Sequence, residues 1–424
     1  MKFNTLLLAL LCTSSTVIAQ DWTSWRGPNG SGSAQGTGYP TEWSTDSGIT
    51  WKTTIPGIGA SSPIVSSGHI FLTSTANNTN QVTCLTMEGK VEWTKSLGES
   101  IEGKQGKDGT GANPSPVTDG KHVFVYFKSG DVGCFDFEGT LLWETNVFQR
   151  FAPVTSKTLW WDLGTSPVLT RNAVVITMMH SGPSYLAAFR PHDGELLWKQ
   201  DRKTDAPREA AQSYTTPIVT TNPDGQEVIV VTGADYVTAH DAKDGKELWR
   251  VGSLNPESNG NFRSISSSVS NGEVIVAPYA RGDSLTTIRL GKLADGQSRI
   301  AWDRTKTSAD VPTPVIHGDR IFVLRDTKKT RGTIDCINLK TGDVIWTGKL
   351  PPHRSTYRAS PIYADGHLYM VRQDGRVFVV DAAGDQFKLV AENKIVDAHT
   401  VSTPAFVDGK ILLRAGETLY CIGK

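Results

Sequence analysis

Ten residues of this chain could do chemistry or hold a ligand: Asn113, Trp160, Trp161, Asp162, Gln212, Tyr214, Arg263, Tyr357, Arg358 and His399. They mix amides, guanidinium groups, aromatic rings, a carboxylate and an imidazole, which suits recognition of a polar ligand. No catalytic motif organises them. There is no HExxH, no GxSxG, no P-loop and no GxGxxG. The pairs His192-Asp193 and His240-Asp241 read as solvated turn residues, and Arg281-Gly282-Asp283 as a surface turn. No catalytic residue and no metal ligand is assigned.

What gathers these ten is a repeat. A unit of about fifty residues recurs along the chain, and that period marks a repeat architecture. Trp51, Trp93, Trp143, Trp198, Trp249, Trp302 and Trp346 each close a short apolar run, most of them just after a glycine such as Gly89, Gly139, Gly194, Gly245 or Gly342. A second marker keeps the same beat: Pro63, Pro116, Pro167, Pro217, Pro314, Pro361 and Pro404, each after Ser or Thr. Each unit reads as four short strands, the first as SSPIVSS, HIFLTST, QVTCLTM and KVEWTKS. Glycine suits the tight turn before the Trp strand, and proline suits an edge strand facing a central channel.

Ser268 marks an eighth inner strand that lacks its proline, and Leu389 is read as the outer strand that lacks its Trp. The chain opens on an outer strand around Trp51 and closes on a third strand, TLYCIGK. These phases complement each other. The fold expected is therefore all-β: an eight-bladed β-propeller of four-stranded antiparallel blades, with the last blade closed by an N-terminal strand. Its face is ringed by the loops that enter the inner strands, and all ten candidates lie in them. The longest loop carries Trp160, Trp161 and Asp162.

Residues 1–19 read as a signal peptide, with Lys2, the apolar LLLALLC and cleavage after Ala19. Cys12 lies inside the apolar core behind Leu11, so lipidation is not expected. Residues 20–47 form a lead-in packed on the propeller of 48–424. The protein is expected to be exported, periplasmic or secreted, and monomeric. Lys plus Arg and Asp plus Glu both number 43, which gives no basic face for nucleic acid, and no second apolar stretch suggests a transmembrane helix. Cys84, Cys134, Cys336 and Cys421 recur at matching places before the blade Trp, where other units carry Ala188 and Ala239. They read as free buried thiols in a small-residue slot.

The stretches 234–249 and 332–346, ADYVTAHDAKDGKELW and GTIDCINLKTGDVIW, together with the Ser/Thr-Pro-Val strands, resemble the PQQ-like (pyrroloquinoline quinone) β-propeller repeat. The resemblance covers the mature chain and extends to exported bacterial propellers that are BamB-like. It implies a non-catalytic binding or scaffold protein of the cell envelope, connected with outer-membrane protein assembly, with no cofactor. Its partner would be a protein, peptide or polysaccharide at the loop face. The alternative it implies is a quinoprotein dehydrogenase with PQQ and calcium on the axis, and with Trp161 stacking and Asp162 as base. The chain departs from those enzymes in having no adjacent cysteines.

Overall fold

The computed structural model describes residues 21–28, 30–101, 108–155, 157–395 and 398–423. The expected leader and Cys12 lie outside the described residues. The described strands form eight four-stranded antiparallel sheets. The first comprises Ile64–Ser66, His69–Ala76, Thr79–Thr86 and Val91–Glu99, in that order from the axis outward. The last takes Ala405–Val407, Lys410–Ala415 and Thr418–Ile422 from the C-terminus and Ile49–Thr54 from the N-terminus. Trp51 faces Cys421 and Thr54 faces Thr418 across that join. The ring is closed as the phase of the repeat requires.

Middle strands such as Val174–Met178 and Tyr185–Phe189 are buried throughout, because both faces of a blade pack on its neighbours. Blade-to-blade contact is built around the Trp. Each faces a small residue on the third strand of its own sheet: Trp93 faces Cys84, Trp143 faces Cys134, Trp198 faces Ala188 and Trp346 faces Cys336. Its indole then reaches the next blade. The Nε1 of Trp51 donates to the Met87 carbonyl at 2.9 Å, that of Trp93 to Phe137 at 2.8 Å and that of Trp143 to Pro191 at 2.7 Å. The turn glycine of the next blade lies under the ring. Gly194 has φ +71°, and a Cβ on it would sit 2.6 Å from Trp143. The glycine thus serves the turn and the docking together. The four cysteines are free and buried, and burial pushes the thiols of Cys336 and Cys421 up to about 11.

Two readings are corrected. In the seventh blade Ala391, not Leu389, stands at the Trp position, because it faces Val379 while Leu389 pairs with Val380 across a bulge. Phe387, at the place of the turn glycine four residues before Ala391, packs back on Trp346 of the sixth blade with ring centroids 5.9 Å apart. His240 is buried rather than solvated. Its ring nitrogens bond Gly245 O and Thr238 Oγ1, and burial lowers its pKa. His192 is exposed beside Asp193, as expected of a turn residue.

At the axis the residue before each inner-strand proline forms a closed circuit. The backbone N–H of Ser62 donates to Ser115 Oγ, Ser115 to Ser166, Ser166 to Thr216, and Thr216 to Ser267. The circuit continues from Ser267 to Thr313, Ser360, Thr403 and back to Ser62, with all eight bonds at 2.9–3.1 Å. Ser267 keeps its place where the following proline is replaced by Ser268. What the repeat holds constant on the axis is the hydroxyl.

Candidate functional site

One end of the channel is crossed by the lead-in. Trp22 pairs its backbone with Val65, and Ala34 N bonds Tyr363 O. The fully buried Arg26 donates to Pro314 O, and burial alone lowers its pKa to about 9. Between these anchors Trp25 reaches the axis. Above it a cavity of about 430 Å³ opens toward the loops that enter the inner strands. All eight ring hydroxyls line it, and Asp108, Asn113, Trp161, Asp162, Tyr214, Arg263, Arg281 and Arg358 form its upper wall. This volume suits a small ligand or the end of a long one.

Polar knots hold the mouth. Asp108 accepts from Arg358 Nε at 3.2 Å and Gln373 Nε2 at 2.8 Å, and contacts His399 Nε2. Asp162 accepts from Leu163 N, Gly111 N and Asn113 Nδ2, and lies 3.8 Å from the Lys128 ammonium. Burial nevertheless pushes the Asp162 carboxyl above its ordinary pKa. The Trp161 indole donates to Glu209 Oε1 at 2.8 Å, and Arg263 Nε stands 3.5 Å from the same carboxylate. Arg263 and Arg281 approach Asp310 at 3.9 and 4.0 Å.

Of the ten candidates, the structure brings Asn113, Trp161, Asp162, Tyr214, Arg263 and Arg358 to the cavity wall. His399 reaches the site through Asp108, from the wall of an adjoining hollow. Gln212 is fully buried behind the wall, where its Oε1 accepts from Trp160 N and the Tyr214 hydroxyl. Trp160 turns away and bonds Lys157 O. Tyr357 is buried in the core between the sixth and seventh blades. Asp108, Glu209 and Asp310 carry no sequence signal, and Arg281 reads from sequence only as part of a surface turn. Arg281 sits in the turn between second and third strands, with left-handed φ of +55°. Such turns share a face with the loops entering the inner strands, and that topological fact was the available signal.

Beside the mouth, burial and the neighbouring Asp310 carboxylate push Asp326 up to about 6. A raised carboxyl pKa means that the folded state holds the proton more tightly. The contribution of Asp326 to stability is therefore fullest below about pH 4 and is lost as pH rises through about 6. Asp326→Asn is expected to stabilise the protein by about 2–3 kcal/mol at pH 7, from a shift of about two units at 1.36 kcal/mol each. The gain should vanish below about pH 4 in urea titrations, and equal stability of both proteins at every pH would refute the assignment.

A family model described as outer membrane protein assembly factor BamB matches residues 33–149, 78–221, 210–297 and 291–420. No curated protein matches the chain. Among solved structures, BamB from Moraxella catarrhalis aligns with a TM-score of 0.60 at 13% identity, over 89% of this chain and 97% of that one. A quinohemoprotein alcohol dehydrogenase from Comamonas testosteroni aligns with a TM-score of 0.63 at 13% identity, over 95% and 80%. A europium-containing methanol dehydrogenase reaches 0.68 at 10% identity, over 94% and 90%. Likenesses at such identities establish a shared fold, and fold alone does not assign activity.

Proposed function

This chain belongs to the propeller family described as outer membrane protein assembly factor BamB, and from that premise we propose that it is an exported, non-catalytic binding protein of the cell envelope. Its ligand, a protein, peptide or polysaccharide, enters at the loop face, and outer-membrane protein assembly is the process its family description names. The observation that carries this reading is the state of the carboxylates at the mouth. Asp108, Asp162 and Glu209 are each engaged by cationic or N–H donors, so they brace the wall, while Trp161, Arg281 and Arg358 face the cavity. That arrangement suits recognition. No described helix is long and apolar enough to cross a membrane.

The second reading, a quinoprotein dehydrogenase, is favoured by the cavity's place on the axis of a fold that such enzymes share. Arginines and Trp161 could meet the acids and rings of PQQ. The calcium ion does not fit. Calcium takes six to eight oxygen ligands. Here the Asn113 amide oxygen accepts from Thr110, its nitrogen faces Asp162, and the described residues hold no cluster of three His, Cys, Asp or Glu around a metal position. No step is derived through that group.

Titration of the full mature chain with PQQ and calcium separates the two readings. We expect no dye-linked alcohol or sugar oxidation and no saturable quenching of tryptophan fluorescence. Saturable quenching with turnover would overturn the binding-protein reading. Trp161→Ala should leave the melting temperature nearly unchanged, which a wall position at the mouth requires and a core position would not allow.

A further inference from the structure

The axial cavity continues past its mouth. Arg281 and Arg358 stand in its wall and also in the wall of a second hollow, of about 410 Å³, bounded by Asp310, Asp326, Lys328 and Arg331. The two hollows adjoin at these two arginines, and the outer part of this trough lies over the sixth blade. Its basic groups are Arg263, Arg281, Lys328, Arg331 and Arg358, against Asp310 and Asp326 within it. Asp108 and Glu209 hold Arg358 and Arg263, and Asp162 stands in the axial wall. The basic excess therefore lies in the outer hollow, where Arg281, Lys328, Arg331 and Arg358 meet two carboxylates, and there it favours an anion.

Donors on the axis point the same way. Each of the eight ring hydroxyls accepts a backbone N–H and keeps its own hydrogen to donate. The trough thus offers guanidinium groups for charge, O–H donors for neutral oxygens, and the rings of Trp161 and Tyr214 for a flat apolar face. A peptide adding as a strand would need free N–H groups on the inner strands. At the ring those groups are already engaged, and in seven blades a proline follows.

We propose that this trough binds the end of an acidic polysaccharide bearing carboxylate or sulfate groups, with one sugar in the axial cavity and the next over the outer hollow. The proposal rests on the binding-protein reading above and specifies its ligand. Sugars present C–H faces to aromatic rings and hydroxyls to paired donors, while the repeated acid spaces the negative charges along the trough.

The test is calorimetric titration of the full chain with four oligomers. They are tetragalacturonate, a sulfated galactan tetrasaccharide without carboxylates, maltotetraose and tetraglutamate. We expect at least one acidic saccharide to bind about tenfold or more tighter than maltotetraose and tetraglutamate, and to weaken as salt is raised. The first two arms identify the anion. Arg281→Gln should weaken binding about tenfold, with a melting temperature like that of the parent. The double variant Lys328→Ala, Arg331→Ala should weaken tetragalacturonate and leave the binding of monomeric galacturonate unchanged. Failure of both acidic saccharides, or equal binding of maltotetraose or tetraglutamate, overturns the proposal. So does unchanged affinity in a folded Arg281→Gln protein. None of these outcomes produces oxidation with PQQ, so the broader reading stands or falls separately.

Discussion

Trp143→Ala is expected to cost about 3–5 kcal/mol of unfolding free energy, the range for truncating a buried large aromatic. Trp143 is 8% exposed and wedged between the second and third blades. Its ring packs against Phe124 and Phe189 at centroid distances of 6.2 and 6.3 Å, over Gly194. Alanine would leave a void that Cys134 opposite is too small to fill. It would also strip the Pro191 carbonyl of its indole donor, which adds to the void's cost. Urea unfolding measures the loss. A change below about 1 kcal/mol would mean that the blades are held by their middle strands alone.

A chain beginning at Ile55 is expected to yield no folded monomer. Truncation there removes the strand Ile49–Thr54 and leaves Thr418–Ile422 as an unpaired edge, which invites association with other chains. It also removes the buried side chains of Trp22, Tyr39 and Trp43. Burial of each large apolar group contributes about 1.5–3 kcal/mol, and Trp51 is lost with its bond to Met87. Together these approach the roughly 5–15 kcal/mol that separates folded from unfolded domains. Size-exclusion chromatography and near-ultraviolet circular dichroism decide the matter. A monomer that melts cooperatively within a few degrees of the full chain would show that the ring stands without its closing strand.

The fold was legible because each marker residue does two jobs at a constant spacing. Gly194 makes a turn and floors an indole, and Ser360 starts a strand and accepts the N–H of Thr313. Such positions tolerate little drift, so the repeat survives in the sequence. The one misplaced marker, Leu389, sits beside a bulge, where counting along the chain departs from counting across the ladder. His240 departs from a turn residue because the strand Tyr236–Asp241 runs through it and buries its ring.

The site was legible by loop and less so by residue. In extended chain successive side chains point to opposite sides. Arg358 faces the cavity while Tyr357 enters the blade core, and Trp161 faces it while Trp160 turns away. Picking a loop from sequence selects both members of each such pair. Asp108 belongs to no recurring pattern, and its partner Arg358 lies far away in the chain and near only in the ring. Arg281 reads as a surface turn because its partner Asp310 belongs to the next blade.

The circuit of hydroxyls has a consequence for how the gene encoding this chain can be cut. Eight equivalent joints in a closed loop have no first member and no last. Where the backbone begins and ends is then a convention of the present chain. Joining the two ends through a linker that keeps the lead-in, and opening the chain in another exposed hairpin, should give a circular permutant with the same ring. Its seam would be relocated to a blade whose outer strand is then the one supplied by the opposite end.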